Sequence, residues 1–508
     1  MAIELPRFDT RDIVGVIGAG TMGMGIAEVA ASAGHHVRVF DAVEGAAVHA
    51  LDELATRLDS RVKRGRITSE RRDEILGRIQ VVHKLVGLAK SRLVLEAVVE
   101  SLGIKVGLFK SLERIVAKTT IIGTNTSSFS ITEIGADLKH PERFLGVHFF
   151  NPASVMPLVE VITGMNTAPE VAAAVHGLMS TWGKSPVFAK SQPGFIVNRV
   201  ARPYYAEALT LLQEGAASVS TMDAIYRDCG GFRMGPFELM DLIGMDVNLT
   251  VTQSVFESYY GDPRYRPSVL QEEMVAARRL GRKTGEGFYR YTPEPEVSDP
   301  VDMRPAKAPS SVRVFGNLGP AETLVEQSVE AGLEVTHAEG EGYLLVDGVY
   351  LALSDGRSAV TRAVEEGRSP MVLFDLALDY RKTPRIVIAA TNGDNQSLNV
   401  AAGFFQSLGK VVNVVLDVPG MLVMRSVCLL VNEAASAIAH HVCSAGDLDI
   451  AMKKGVNYPK GPVEWGESLD LHRVMAVVAH MHEAYGDDRY RVTPLLARRA
   501  LAHRKLSD

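Results

Sequence analysis

The sequence predicts an α/β domain with a doubly wound sheet, then an all-α domain, and then a degenerate second copy of both. Three observations support this prediction. Strand patterns alternate with helical patterns up to about residue 190, which is typical of a sheet built from βαβ units. From Gly194 to about Arg279 the patterns are those of amphipathic helices. Motifs from these two regions then recur in the second half of the chain.

The first βαβ unit begins near the N-terminus. Residues 13–17 predict a buried strand, which runs into Gly18-Ala19-Gly20-Thr21-Met22-Gly23 and a helix. A second strand, residues 37–40, ends at Asp41, 23 positions after Gly18 (41 minus 18). Such a glycine turn lets the backbone approach a pyrophosphate, and the acid accepts hydrogen bonds from the adenosine ribose. The pattern predicts a dinucleotide site, with NAD favoured over NADP because Asp41 would repel a 2′-phosphate. The alternative is that Asp41 only ends the strand.

The rest of the sheet domain is longer and contains an insertion. Residues 44–78 predict a charged helical insertion that turns near Gly65. Strand patterns return at residues 93–97, 120–123 and 144–149. We therefore expect a sheet domain over residues 1–190 and a helical domain over residues 191–291.

A proline-rich segment separates the two halves of the chain. Residues 292–311 are typical of a linker, with five prolines among acidic and small residues: Pro293, Pro295, Pro300, Pro305 and Pro309. Beyond it, the segment 193–199 (Pro-Gly-Phe-Ile-Val-Asn-Arg) recurs as 419–425 (Pro-Gly-Met-Leu-Val-Met-Arg), an offset of 226 (419 minus 193). This self-similarity predicts an internal duplication, with a degenerate sheet domain over residues 312–417 and a second helical domain over residues 418–508.

The second copy has lost groups that a dinucleotide needs. Val16 aligns with Val314 at an offset of 298 (314 minus 16), so 72 residues (298 minus 226) are missing inside the second copy. We expect the losses to be the helical insertion and the segment around His148. Gly20 corresponds to Leu318 and Gly23 to Ala321, whose side chains would obstruct a pyrophosphate. We therefore interpret residues 312–508 as structural rather than as a second catalytic site.

Composition limits the possible partners and compartments. The net charge is −6 and the pI is about 6.2, which argues against nucleic acid or an anionic membrane surface as a partner. No apolar stretch reaches the length of about 18 residues that a membrane span needs. The N-terminus has no signal-peptide pattern, and Cys229, Cys428 and Cys443 have neither metal spacing nor a disulfide pattern. We expect a reduced, cytoplasmic protein without a metal.

A histidine and a glutamate are the leading candidates for chemistry. His148 ends a predicted strand in the segment 148–152 (His-Phe-Phe-Asn-Pro), and Glu160 lies on the strand that follows. Oxidising a secondary alcohol needs a base for the hydroxyl proton, and an imidazole oriented by a carboxylate suits this task. Spacing alone leaves open the alternative that His148 is a core residue with satisfied hydrogen bonds.

Four segments resemble the 3-hydroxyacyl-CoA dehydrogenase family and occur in the family's order: Thr124-Asn125-Thr126-Ser127-Ser128, His148-Phe149-Phe150-Asn151-Pro152, Pro193-Gly194-Phe195-Ile196-Val197-Asn198-Arg199 and Lys283-Thr284-Gly285-Glu286-Gly287-Phe288-Tyr289. The resemblance covers about residues 11–291, and the tandem layout is similar to the long bacterial form that acts on 3-hydroxybutyryl-CoA or 3-hydroxyadipyl-CoA. It implies a Rossmann-type NAD-binding domain and oxidation of a 3-hydroxyacyl-CoA by NAD, in fatty acid or phenylacetate degradation.

The resemblance also implies roles for individual residues. His148 would be the general base, Glu160 would orient it, and Ser127 and Asn198 would bind the reacting oxygen. The residues expected around the cofactor, besides the glycine turn and Asp41, are Glu100, Lys105, Ser127, Asn151 and Lys283.

Two further implications concern CoA and assembly. The family holds CoA partly with the helical insertion, where Arg61, Lys63, Arg64 and Arg66 form a basic cluster; a solvated helix end is the alternative. Single-copy members dimerise through the helical domain, which also helps to form the substrate cleft. One hypothesis is that the second helical domain takes the place of a dimer partner within one chain, and a homo-oligomer is the other arrangement.

Two other functions remain open. One is an NAD-dependent β-hydroxyacid dehydrogenase that acts on a free acid, which the segment 148–152 disfavours. The other is a non-catalytic NAD-binding relative, which the intact set of His148, Glu160, Ser127 and Asn198 disfavours.

Overall fold

The computed structural model of the chain describes residues 8–291 and 299–508. The first seven residues, where we expected no signal peptide, and Pro293 and Pro295 of the expected linker lie outside the described residues. The chain forms two compact units, each made of two stretches of sequence. The first comprises the chain up to Val197 together with His441–Val456, and the second comprises Asn198–His440 together with Asn457–Asp508.

The first unit is built on an eight-stranded sheet. Its strands are β1 (Val14–Ile17), β2 (Val37–Phe40), β3 (Ile79–Val81), β4 (Leu93–Glu96), β5 (Ile121–Thr124), β6 (Phe144–Phe149), β7 (Leu158–Thr163) and β8 (Ser185–Lys190). The strand order is β3-β2-β1-β4-β5-β6-β7-β8, and all neighbours are parallel except β6 and β7. Every residue of β1, β4, β5 and β6 is buried, as expected for strands covered on both faces.

Six helices of the first unit connect these strands: α1 (Thr21–Ser32), α2 (Ala46–Lys63), α3 (Ser69–Gly77), α4 (Leu102–Glu113), α5 (Ile131–Gly135) and α6 (Pro169–Thr181). The expected insertion over residues 44–78 consists of α2 and α3, which end and begin on either side of the turn at Gly65. Helix α2 buries Ala47, Ala50, Leu54 and Leu58 in the core of this unit, because these residues recur at helical spacing.

The second unit begins with helices. They are α7 (Val197–Val200), which starts on the last residue of the first unit, α8 (Arg202–Gln213), α9 (Val219–Asp228), α10 (Pro236–Ile243), α11 (Met245–Ser258) and α12 (Val269–Ala276). Residues 299–310 of the expected linker contain no helix or strand, but they are packed: the N–H of Met303 donates to the carbonyl of Val412 at 2.8 Å.

A seven-stranded sheet follows in the same unit. Its strands are β9 (Ser311–Phe315), β10 (Glu334–Ala338), β11 (Tyr343–Val346), β12 (Val349–Leu353), β13 (Met371–Phe374), β14 (Arg385–Ala390) and β15 (Val411–Val414). The order is β10-β9-β11-β12-β13-β14-β15. Strand β11 is antiparallel to β9, whereas β4 is parallel to β1 at the corresponding place in the first sheet.

The remaining helices are α13 (Thr323–Glu330), α14 (Ala359–Glu366), α15 (Asn395–Ser407), α16 (Val423–Ala439), α17 (Ala445–Gly455), α18 (Pro462–Leu469), α19 (Leu471–Tyr485) and α20 (Pro494–Leu501). All of these belong to the second unit except α17, which belongs to the first. Helix α17 packs there on β7 and β8.

The missing residues of the second copy lie mainly between β10 and β12. Strand β10 leads directly into the β11–β12 hairpin, whereas α2, α3 and α4 lie between β2 and β5. The expected loss of the helical insertion is therefore seen. The expected loss of the segment around His148 is only half right, because β13 occupies the position of β6 and pairs with both of its neighbours. Ile388 is the counterpart of Ile162, and it pairs with Phe374, whereas Ile162 pairs with Gly146. Phe374, the last residue of β13, is therefore the counterpart of Gly146, and β13 ends two residues before the counterpart of His148.

Candidate active site

The glycine turn after β1 is shaped so that two of its residues have no room for a side chain. Gly18 has a φ of +95°, and a Cβ atom on it would lie 2.5 Å from the carbonyl oxygen of Ala97. A Cβ atom on Gly23 would lie 1.8 Å from the carbonyl oxygen of Gly18, so α1 can approach β1 only with glycine there. Gly20 and Thr21 are exposed at the start of α1. The turn therefore presents an open helix N-terminus, which fits a pyrophosphate.

Asp41 lies directly after β2, beside this turn. Its Oδ2 accepts the N–H of Ala19 at 2.7 Å, and its Oδ1 accepts the N–H of Val43 at 2.8 Å. The carboxylate is thus held between the glycine turn and the end of β2. Each of its oxygens retains lone-pair capacity for a further donor, such as a ribose hydroxyl.

A buried ion cluster lies at the carboxyl end of β4. Lys105 is 1% exposed, and its Nζ lies 2.6 Å from Glu96 and 3.1 Å from Glu100. Glu96 is fully buried and also accepts the hydroxyl of Thr124 at 2.6 Å. Burial by itself would raise the pKa of Glu100, but the charge on Lys105 and the hydroxyl donors of Thr126 and Ser128 outweigh it. The pKa of Glu100 therefore lies below its usual range, and the group is ionised at neutral pH.

Glu100 in turn holds the loop that follows β5. Its Oε1 accepts the hydroxyl of Thr126 at 2.5 Å, the N–H of Ser127 at 3.2 Å and the hydroxyl of Ser128 at 2.9 Å. Asn125 ties the same loop to β6, because its Oδ1 accepts the N–H of Phe149 at 2.8 Å. The backbone at Ser127 is thus held from two sides, in the same unit as His148.

His148 and Glu160 face each other across the antiparallel pair β6–β7. Their register makes them direct cross-strand partners, and Nδ1 of His148 lies 2.7 Å from Oε2 of Glu160. Glu160 is fully buried and His148 is 6% exposed. A carboxylate on Nδ1 favours the tautomer with hydrogen on that nitrogen, so Nε2 is left to accept a proton. The rings of Phe150 and Phe195 lie 4.5 Å and 6.0 Å from the imidazole, centroid to centroid.

Glu160 has a second set of partners at the turn before α7. Its Oε1 accepts the N–H groups of Ile196 and Val197, at 3.1 Å and 3.0 Å. Within this turn Phe195 adopts a φ of +46°, which a non-glycine residue rarely does. The carboxylate therefore orients the imidazole and holds the backbone that leads into Asn198.

The other expected residues lie in different places. Asn151 is exposed two residues after the end of β6. Asn198 and Lys283 belong to the second unit, where Lys283 is exposed and forms an ion pair with Asp246. In the basic cluster at the end of α2, Arg61 forms an ion pair with Glu28 at 2.7 Å, whereas Lys63, Arg64 and Arg66 are exposed.

The sequence interpretation did not identify three residues of the site. Asn125 and Thr126 lie inside the segment 124–128, so this motif contained a signal for them. Glu96 is harder to find, because an acidic residue at the end of a buried strand becomes recognisable only when Lys105 is seen to reach it.

The corresponding parts of the second copy are closed by side chains of the second unit. Leu318 and Ala321, the counterparts of Gly20 and Gly23, are 3% and 0% exposed. A Cβ atom on Gly319 would lie 2.6 Å from Nη2 of Arg473, and α18 packs on residues 319–321. The space that is open at the first glycine turn is thus filled at the second.

Within residues 8–291 and 299–508, no group of three or more His, Cys, Asp or Glu side chains has a metal-binding arrangement. Among the helices in these ranges, none is both long and apolar enough to cross a membrane.

The fold and the site define a class of protein. A glycine turn with an open helix N-terminus, an acid at the end of the second strand and a buried imidazole–carboxylate pair are the features of a dinucleotide-dependent dehydrogenase.

Comparison with known proteins identifies the family. The model of the 3-hydroxyacyl-CoA dehydrogenase NAD binding domain matches residues 13–192, and that of its C-terminal domain matches residues 194–291 and 420–507. A third model, the 3-hydroxybutyryl-CoA dehydrogenase reduced Rossmann-fold domain, matches residues 351–419. The chain belongs to the 3-hydroxyacyl-CoA dehydrogenase family. It is an NAD-dependent oxidoreductase, as the sequence predicted, and the two matches of the C-terminal domain confirm the duplication.

Full-length relatives share the tandem layout. The 3-hydroxyadipyl-CoA dehydrogenase of Escherichia coli K12 is 42% identical over 488 residues, which are 96% of this chain and 97% of that protein. The crystal structure of 3-hydroxybutyryl-CoA dehydrogenase from E. coli K12 has a TM-score of 0.88 and 41% identity, and covers 97% of this chain and 99% of its own. The 3-hydroxybutyryl-CoA dehydrogenase of Clostridioides difficile is 40% identical over 276 residues, 98% of its length but only 54% of this chain.

Proposed function

We propose that His148 is the general base that removes the hydroxyl proton during oxidation of a (3S)-3-hydroxyacyl-CoA to the 3-oxoacyl-CoA. The observation that carries this proposal is the 2.7 Å contact between Nδ1 of His148 and the fully buried Glu160. With Nδ1 committed to the carboxylate, Nε2 takes the proton, and Glu160 stabilises the imidazolium that results. Bound NAD supplies the acceptor for the hydride that leaves C3 of the substrate.

Ser127 and Asn198 are proposed to hold the reacting oxygen. A hydroxyl and a carboxamide can each donate a hydrogen bond to an alcohol or a ketone. For Ser127 the support is the backbone anchoring by Glu100 and Asn125, which limits its movement. For Asn198 the support is its position next to Val197, whose N–H is bound by Glu160.

The cofactor contacts are proposals that rest on the shape of the first unit, except for Lys283 of the second unit, which rests on the family resemblance of its motif. Gly18, Gly20, Thr21, Met22 and Gly23 would cradle the pyrophosphate, and Asp41 would receive the ribose hydroxyls. Glu100, Lys105, Ser127, Asn151 and Lys283 complete the proposed set. Since Lys105 is buried and paired with two carboxylates, we propose that it acts mainly by fixing Glu100.

The acyl group is proposed to be 3-hydroxyadipyl or 3-hydroxybutyryl, since these are the groups in the names of the two full-length relatives. The exposed Lys63, Arg64 and Arg66 are proposed to contact phosphates of CoA. Steady-state kcat/KM on both CoA thioesters and on the free 3-hydroxy acids tests the substrate. Turnover of the free acids at rates similar to those of the thioesters would contradict the proposal.

Replacing the proposed base tests the mechanism. We expect His148→Gln to lower kcat by about 10²–10⁴-fold while NAD binding, measured by calorimetry, stays within twofold. His140→Gln is a matched control, since His140 belongs to the same unit and its ring contacts Glu142 at 3.2 Å, away from Glu160. If His148→Gln and His140→Gln were equally active, His148 would not be the base.

We also propose that the second helical domain takes the place of a dimer partner within one chain. The support is a set of reciprocal contacts inside the second unit. Arg199 binds Glu433 at 2.6 Å, and Arg425, 226 positions after Arg199, binds Glu207, 226 positions before Glu433, at 2.5 Å. Two tyrosines repeat this reciprocal arrangement. The hydroxyl of Tyr265 donates to Glu433, and that of its counterpart Tyr490 donates to Glu207. Reciprocal contacts of this kind are characteristic of an interface with two-fold symmetry.

Sedimentation of the full chain tests the proposed internal interface. We expect Arg425→Met to lower thermal stability and to leave the sedimentation coefficient unchanged, because both sides of the interface lie on one chain. Dissociation of a larger assembly into smaller species in this variant would contradict the proposal.

A cytoplasmic location is also proposed. Its support is that Cys229 and Cys428 are buried thiols, and burial raises the pKa of both well above the ordinary range, so they are kept as unreactive thiols. Fractionation of cells followed by an activity assay tests the location, and recovery of the enzyme outside the soluble cytoplasmic fraction would contradict it.

A further inference from the structure

Helix α17 derives from the second copy, but it packs in the first unit. The carbonyl of Val442, just before α17, accepts the N–H of Lys190 at the end of β8, at 2.8 Å. The helix then buries Leu448, Ala451 and Met452, each completely, and packs on β7 and β8. The strand that carries Glu160 is therefore covered by a helix from the half of the chain without the catalytic groups.

The C-terminal end of α17 reaches the two segments that hold the Glu160 carboxylate. Gly455 is the last residue of α17, and a Cβ atom on it would lie 2.5 Å from Cδ2 of Leu158 and 3.2 Å from Cγ2 of Val197. Leu158 precedes Glu160 by two residues on β7, so both side chains point to the same face of the strand. Val197 donates its N–H to Glu160. Only a residue without a side chain lets α17 approach this closely.

The exchange of helices is reciprocal, since α9, 226 positions before α17, packs in the second unit on β14. The N–H of Leu416 donates to the carbonyl of Ala216 at 3.0 Å. Leu416 lies 226 positions after Lys190 and Ala216 lies 226 positions before Val442, so this contact is the counterpart of the one between Lys190 and Val442. At the counterpart of Gly455 the residue is Cys229, whose Sγ contacts the carbonyl of Arg385. At this position, therefore, only the helix that covers the catalytic strand has a glycine.

We infer that α17 is a positioning element for the His148–Glu160 pair and that Gly455 is its contact residue. Leu158 and Val197 rest against Gly455 and fix β7 and the turn before α7. The Glu160 carboxylate, bonded to that turn and to Nδ1 of His148, is fixed with them. The inference rests on the proposed role of His148. It gives the second copy a function in catalysis without a site of its own.

Filling the contact at Gly455 in the full-length enzyme tests the inference. We expect Gly455→Val to push Leu158 and Val197 away and to lower kcat at least tenfold, with the KM for NAD within twofold of the wild type. The matched control is Gly446→Val on the same helix, because a Cβ atom on Gly446 would meet nothing closer than Oγ of Ser444 at 4.0 Å. The control variant should keep the wild-type kcat.

A rescue experiment separates positioning from a general loss of folding. Since Cδ2 of Leu158 makes the closest contact, Gly455→Val combined with Leu158→Ala should regain a kcat within about threefold of Leu158→Ala alone. If Gly455→Val does not fold, Gly455→Ala, which places the same Cβ atom, replaces it in both comparisons. A folded Gly455 variant with wild-type kcat, or a double variant without recovery, would overturn the inference. An inactive His148→Gln beside a fully active Gly455→Val would overturn it while leaving the proposed base intact.

Discussion

The two copies contain the same turn at the start of their helical parts, before α7 and before α16, but the carboxylates that hold it come from different places in the two sheets. In the first copy, Glu160 on β7 accepts the N–H groups of Ile196 and Val197. In the second, Asp375, which follows β13, accepts those of Leu422, Val423 and Met424 at 2.7–3.0 Å. The counterpart of Glu160 is Ile386. The turn therefore has a buried acceptor in both copies, and in the first copy that acceptor also binds a histidine.

Met421 shows that the turn itself is unchanged. Its φ is +52°, close to the +46° of Phe195, and Gly420 and Gly194 before them also have similar positive values. Such a backbone is unfavourable for a non-glycine residue, so it persists only where hydrogen bonds hold it. Both copies have this unfavourable backbone, and the carboxylate that holds it comes from β7 in the first copy and from the residue after β13 in the second.

The helical parts of the two copies differ much less than the sheets. The ion pairs Arg199–Glu433 and Arg425–Glu207 are equivalent, and all four side chains are at least 97% buried. The glycine turns have diverged, since one is open and the other is filled by Leu318 and Arg473. The packing between the copies is thus equivalent on its two sides, whereas the two glycine turns differ in shape.

The largest expected effect concerns the reciprocal ion pairs. Arg199→Met and Arg425→Met should each lower the free energy of unfolding by about 3–5 kcal/mol, because each leaves a buried glutamate without its cation. Chemical denaturation of both variants measures this. A difference of more than about 2 kcal/mol between them would show that the two sides are not equivalent.

The two carboxylates that hold the turns should differ in their effect on activity. Glu160→Gln is expected to lower kcat by about 10²–10⁴-fold, because the negative charge that stabilises the imidazolium is lost. With its oxygen on the N–H groups of Ile196 and Val197, the amide would also present an N–H donor to Nδ1 of His148. Asp375→Asn should leave kcat within twofold, since no histidine is bonded to it. Steady-state rates at saturating NAD and substrate measure both, and a strong loss of kcat in Asp375→Asn would contradict the separation of structure from chemistry.

Substitutions in the two glycine turns should differ in their effect on NAD binding. Gly23→Ala is expected to weaken NAD binding about 100-fold, which is about 2.7 kcal/mol, because the methyl group meets the carbonyl of Gly18. Ala321→Gly should leave the stoichiometry at one NAD per chain, since Leu318 and Arg473 still fill the second turn. Calorimetric titration gives both values, and a second NAD per chain would refute the closure of that turn.

The smallest expected effect is a pH dependence of stability. Burial raises the pKa of Asp375 to about 6, although four backbone N–H groups favour the ionised form. A raised carboxyl pKa stabilises the fold below the unfolded value near 4, and this contribution is lost as the pH rises to about 6. Asp375→Asn lacks this loss, so relative to the wild type it should gain at most about 2–3 kcal/mol between pH 4 and pH 7. Denaturant unfolding at both pH values is the measurement, and a constant difference would contradict it.

Local signals were enough to predict six of the eight strands of the first sheet and to select His148 and Glu160, which the structure brings together. Strand β1, the glycine turn, α1 and β2 follow one another closely, so short-range patterns describe them. The motif around His148 was recognisable because its residues are adjacent in sequence. Glu96 and the role of Lys105 could not be predicted, because their pairing depends on how α4 lies against β4. Asp375 could not be predicted for a similar reason, because it holds the second turn from the segment after β13, whereas Glu160 holds the first turn from β7.

The sequence by itself determined the family, the cofactor, the duplication and the loss of the second glycine turn. Each of these can be recognised from motifs of neighbouring residues or from the constant offset between repeated motifs. Only the tertiary structure decided on which sheet α17 and α9 pack. Helices of similar pattern can pack on either sheet, and the choice depends on complementary surfaces far apart in the chain, such as Gly455 against Leu158. Periodicity describes which face of a helix is buried, but it carries no information about the surface that buries it.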